Sequence, residues 1–199
     1  MNNTSLARRA GMAGIAGAVL WIIGIIWEYG LGLQPPGEGP MFVANQLLFL
    51  MAMAGIAVGY LGVLWGNGIS GLFGKISTGM VALGYLLLIV VSFLQLFLTN
   101  EESPIFILFP IGGLLMAFGV LMTGIGVARA GSWSGWQRWM PLVYAIFFWL
   151  VLQIPLITGV TPDGPGMAAE ILWGIGLFLV ALATYTATAR KTAVELQGA

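Results

Sequence analysis

Six apolar stretches, each long enough to cross a bilayer, take up most of this 199-residue chain, near residues 10–33, 42–64, 76–98, 104–128, 141–160 and 167–189. The hydrocarbon core is about 30 Å thick, and a helix needs about 20 apolar residues to span it. Charged residues are 7% of the chain and hydrophobic ones 59%. An ordinary soluble domain is roughly 25% charged, so most of this surface must be solvated by lipid. Segments such as Val81 to Leu94 are apolar on every side. Barrel strands would alternate instead, so helices are expected. The fold class is read as all-α: a polytopic membrane protein with six transmembrane helices in a compact antiparallel bundle. Residues 1–199 form one membrane domain on this reading, because little chain is left for anything else.

Charge orients the bundle. Arg8, Arg9, Lys75, Arg129, Arg138, Arg190 and Lys191 fall in the N-terminal tail, the second and fourth junctions and the C-terminal tail. The first, third and fifth junctions hold Glu38, Glu101, Glu102 and Asp163 and no basic residue. Short loops rich in Lys and Arg resist translocation. The pattern predicts both termini in the cytoplasm of a cell-membrane protein. The Pro- and Gly-rich runs Gln34–Gly37, Asn100–Pro104 and Thr161–Pro165 read as tight outer turns. Trp133, Trp136 and Trp139 beside Arg138 read as headgroup anchors on the inner side.

Several chemistries are excluded. The chain has no cysteine and no histidine. Disulfides, thiolate sites, bis-histidine haem, the usual catalytic zinc sets and a Ser-His-Asp triad are therefore impossible. A lipid transferase with paired aspartates is impossible with Asp163 alone. The chain is read as not an enzyme, and no cofactor is expected. The formal net charge is zero, so no attraction to nucleic acid is expected either.

Thirty glycines suit close helix approach in lipid, where small residues let backbones touch. Ala10, Gly14, Gly17, Gly24 and Gly32 form one such stripe, Gly55 and Gly59 another, and Gly112, Gly119 and Gly126 a third. These stripes can pack the bundle internally or dock a partner membrane protein. Met53–Gly59 also resembles Met122–Ala128, as a duplicated hairpin would.

Two carboxylates lie inside the spans, Glu28 and Glu170. Intramembrane acids are costly and mark functional sites. Counting from Pro35 and Pro165 at 1.5 Å per residue puts both roughly 7–10 Å inside the outer helix ends. Glu28 shares a helical face with Gly17, Trp21, Gly24 and Gly32, and Glu170 one with Gly174, Leu177, Ala181, Thr184 and Thr188, so both should point inward. Asn45, Gln46, Gln95 and Gln153 fall in the same layer. Pro110 and Pro155 can free the carbonyls of Phe106 and Val151 nearby. The inner halves of the spans offer only hydroxyls, among them Tyr60, Tyr85, Thr123, Tyr144 and Tyr185. An outward-facing polar pocket lined by Glu28, Glu170, Gln95, Gln153 and Asn45 or Gln46 is expected. With no basic residue in that half, its carboxylates must be protonated, hold a cation, or be solvated by amides and water. The competing reading is that these residues reach interfacial water.

The run Gly24-Ile25-Ile26-Trp27-Glu28, with Arg129 after the fourth span and Glu170 opening the sixth, resembles a family of uncharacterised six-span bacterial integral membrane proteins. The resemblance implies a membrane bundle and no particular activity. Two functions stay open: solute binding or transport of a proton or small cationic solute, and a structural or assembly subunit of a larger membrane complex.

Overall fold

In lipid every backbone N–H and C=O must be satisfied within its own segment, so an apolar run closes into a helix. The computed structural model describes residues 3–33, 39–97, 104–159 and 166–197. Helices α1 (Asn3–Leu31), α2 (Pro40–Trp65), α3 (Gly71–Gln95), α4 (Leu108–Ala130), α5 (Trp136–Ile157) and α6 (Gly166–Gln197) follow in order, with a short tight turn at Pro104–Ile107 before α4. No strand occurs among the described residues. All six helices are long and apolar enough to cross a membrane, which makes this a multi-pass membrane protein. The turns expected on the outer side, with their acids Glu38, Glu101, Glu102 and Asp163, lie outside the described residues, as do Pro35 and Pro165.

Five of the six helices are longer than the apolar runs, chiefly at the basic end, and α4 is the exception. There α1 begins at Asn3, α3 at Gly71 and α5 at Trp136, and α6 continues to Gln197. Hydropathy marks only the part of a helix that lipid solvates. Arg8, Lys75, Arg129 and Arg138 therefore stand on helix ends rather than in loops.

Each helix packs on its chain neighbours, and α6 closes against α1 to complete a ring; the tightest pairings are α1 with α2 and α3 with α4. Glycine makes both close approaches possible. A Cβ on Gly17 would lie 2.6 Å from the Ala52 carbonyl oxygen, and one on Gly84 2.7 Å from that of Gly112. Gly14 meets Gly59, and Gly24 meets Phe49. Gly112, Gly119 and Gly126 share one face as expected, and all three face α3 or the turn before it. These stripes are used inside the bundle. Gly32 departs from its stripe: it ends α1 with φ +64° and has no neighbour within 4 Å of a built Cβ. The side chains left outward include Ile23, Met51, Leu86, Phe118, Leu150 and Leu172, an apolar girdle for lipid.

The two similar runs do not act alike. Gly55 and Gly59 pack on α1, whereas Gly124 packs on Pro141 and Leu142 of α5 and Gly126 on Ile69 and Phe73. Both runs thus touch the preceding helix, but Gly124 also packs on the following one, where its counterpart Gly55 packs on α1.

The expectations for the basic end also change. Trp136 and Trp139 are exposed, but Trp133 is 2% exposed and packs against Gly68, its indole N–H donating to the Gly66 carbonyl at 3.5 Å. Gln137 is buried too, and its amide donates to the Thr186 hydroxyl at 3.4 Å. Gln137 is carried in by the first turn of α5, which starts earlier than its apolar run, and Trp133 by the turn before it.

Candidate cation-binding cavity

The cavity sits where α1, α3 and α5 finish and α2, α4 and α6 begin. Glu28 is placed by the way α1 stops: Gly32 adopts the left-handed conformation, and the Leu33 N–H turns back to the Glu28 carbonyl at 2.8 Å. This cap fixes the last turn and leaves the carboxylate on the inward face. Gln46 enters from the start of α2, Gln95 is the last residue of α3, and Glu170 lies near the start of α6.

Gln153 is delivered by an irregularity. From Phe148 to Gln153, α5 widens into a π-helical turn, and regular helix resumes at Ile154. Pro155 explains it. Its ring would clash with the Val151 carbonyl in a regular helix, and it has no N–H to donate. Widening the winding relieves the clash, as such turns do, frequently at functional sites. Phe148, Leu152 and Gln153 of this turn all line the cavity. Pro110 has no such effect, because it lies in the first turn of α4, where N–H groups lack helical acceptors anyway.

Five of the six residues expected at the site line one cavity of about 330 Å³: Glu28, Gln46, Gln95, Gln153 and Glu170. Asn45 does not. It is fully buried, and neither polar atom of its amide has a hydrogen-bond partner among the described residues. The α1–α2 register explains this. Gly14 faces Gly59, Gly17 faces Ile56 and Gly24 faces Phe49; one further turn pairs Glu28 with Asn45. Asn45 thus stands in the helix interface behind the carboxylate, while Gln46, about 100° round the helix, reaches the cavity.

The expectation of a polar pocket is corrected as well. Most of the lining is apolar or aromatic, including Phe49, Met53, Leu88, Phe109, Met116 and Phe148, so the acids and amides form a minority. Trp21 packs edge-on against Phe49 at 5.1 Å and against Trp173 at 4.5 Å, and Trp173 lies 5.5 Å from Phe148. The Trp173 N–H donates to the Tyr144 hydroxyl at 2.7 Å. Tyr144, Tyr60 and Tyr85 are buried and do not themselves line the cavity. The Tyr29 hydroxyl donates to a Glu170 carboxylate oxygen at 3.3 Å and so ties α1 to α6.

The sequence reading missed Tyr29, Trp173 and Phe148 as site residues. Trp173 was findable, since it lies three residues after Glu170 and so on the same face. Tyr29 follows Glu28 directly and gives no periodic signal.

Among the described residues, neither lysine nor arginine lines the cavity. Carboxylates with no cationic partner, set among ring faces, attract positive charge. Small-molecule sites run from about 300 to 1,000 Å³, so this volume suits an organic molecule better than a bare ion. Comparisons with protein-family models, curated proteins and solved structures find no match to this chain.

Proposed function

We propose that this cell-membrane protein binds a small organic cation in the cavity, as a solute-binding or transport protein, and that the cavity faces outward. Glu28 and Glu170 supply charge, Gln46, Gln95 and Gln153 supply hydrogen bonds, and Trp21 and Trp173 supply ring faces for the cation and walls for its apolar part. One observation carries the reading. The two carboxylates within the spans, one from the first helix and one from the last, line the same cavity, and among the described residues no basic one does. A proton is the natural competitor, since each carboxylate can take a proton or face a cation.

In the accompanying topology the helices run antiparallel with both termini in the cytoplasm. Partners that descend along α2 as they ascend along α1 support the antiparallel arrangement. The Arg8 guanidinium bonds the Tyr185 hydroxyl at 2.9 Å, which supports termini on one side. The confinement of basic residues to that end supports its sidedness. An assembly subunit would want a free small-residue face, but Gly14, Gly17, Gly55, Gly59, Gly84, Gly112 and Gly119 are all filled by the chain itself.

The test is binding of a panel of hydrophobic quaternary ammonium ions to purified protein, read by calorimetry and by fluorescence of Trp21 and Trp173. A charge-assisted contact contributes about 1.5–3 kcal/mol, so Glu28→Gln and Glu170→Gln should each weaken binding at least about tenfold. Because the cation favours the ionised carboxylates, affinity should fall as pH is lowered, and a neutral analogue should show no such trend. Binding that is unchanged in both variants and flat with pH sinks the proposal.

A further inference from the structure

We infer that a groove on the outside of the bundle, between α4 and α5 at the end away from the cavity, binds the phosphate headgroup of an anionic phospholipid. Its walls are Ile125, Ala128, Arg129, Arg138, Trp139 and Leu142. Two guanidinium groups from different helices therefore face one space, and among the described residues no carboxylate lines it. Arg138 is held in place: its Nε donates to the Ala128 carbonyl at 2.8 Å, and its guanidinium carbon lies 5.1 Å from the centre of the Trp139 ring. That bond uses Nε and leaves the terminal nitrogens to meet phosphate. Arg129 and Trp139 are exposed beside it.

The vertical order of the groove argues for a lipid over a free ion. Ile125 and Leu142 stand one turn inward from Arg129 and Arg138, about 6 Å deeper at 1.5 Å per residue. Charge at headgroup level, an indole at the same level and an apolar wall beneath match an amphiphile. Tryptophan prefers that level, and basic pockets between transmembrane helices hold anionic headgroups. Inorganic phosphate would use only the upper half. The cavity at the other end of the bundle, lined by acids, takes no part.

The experiment uses the whole protein in a neutral detergent. Phosphatidylglycerol, phosphatidylcholine with the same chains, or inorganic phosphate is added at equal phosphate concentration. Thermal unfolding and native mass spectrometry are the readouts. Phosphatidylglycerol should raise the midpoint and stay bound as one retained lipid, and the other two should do neither. Arg129→Gln should weaken retention about fivefold, the effect of one basic contact at an anionic surface. Arg138→Lys keeps a cation if Arg138→Gln unfolds by losing its bond to Ala128, and it should fall between wild type and Arg129→Gln. Lys75→Gln, at the same end but outside the groove, should change nothing. Equal retention of phosphatidylcholine, a midpoint shift reproduced by inorganic phosphate, or wild-type retention in Arg129→Gln overturns the inference.

Discussion

Single glycines set how near the helices stand, and what surrounds each one decides what a methyl group does there. At Gly17 a Cβ would meet the Ala52 carbonyl at 2.6 Å and the Ile56 nitrogen at 2.8 Å. Both are backbone atoms and cannot swing away. Gly17→Ala must therefore push α1 off α2, and it should destabilise the protein by about 1–3 kcal/mol, measured by thermal unfolding in detergent. Gly113 is the opposite case. It lines the cavity, and nothing lies within 4 Å of its built Cβ. Gly113→Ala should be neutral or stabilising by up to about 1 kcal/mol, since alanine is the better helix former. Gly113→Leu should fold and yet lose cation binding by filling the space. A Gly113→Leu variant that binds normally would mean that the cation goes elsewhere.

At the scale of the helix, α5 carries the most consequence. A π turn holds one more residue than a regular turn, and one residue is about 100° of rotation. Pro155→Ala removes the cause of the widening. The expected outcome is a regular α5 in which Gln153 and Phe148 no longer both face the cavity, with lower cation affinity, unchanged far-UV helicity and an altered near-UV spectrum. The spectral change has a local source, because the Trp149 indole N–H now bonds the Ala117 carbonyl at 3.0 Å from within the widened turn. The widening was only partly legible in sequence. Pro155 advertises a disturbance, but which way the helix yields depends on its neighbours. The same division holds elsewhere. Glu28 and Glu170 could be aimed inward from spacing alone, because a long helix keeps its period. Asn45 and Gln46 could not be separated, since which of two adjacent residues faces a cavity depends on where α1 lies. Trp133 was misplaced because hydropathy reports the lipid-solvated part of a helix and is blind to a core that continues past it.

The cavity end of the molecule carries Glu28 and Glu170, and Arg8, Lys75, Arg129 and Arg138 stand at the other end. Topology is testable because the chain has no cysteine of its own. Ser134→Cys lies in the exposed turn between α4 and α5, and Thr158→Cys in the exposed turn after α5. In intact cells an impermeant thiol reagent should label Thr158→Cys and spare Ser134→Cys until the membrane is opened. The reverse pattern would invert the proposed orientation. The bond between Trp173 and Tyr144 bears on what such an orientation permits. None of Tyr144, Tyr60 and Tyr85 lines the cavity and all three are buried, so on the proposed reading a solute would enter and leave by the same door. On that reading the protein is, in this conformation, a vessel and not a conduit. Its occupancy should saturate with concentration, and it should carry no steady current until that indole lets go of the phenol.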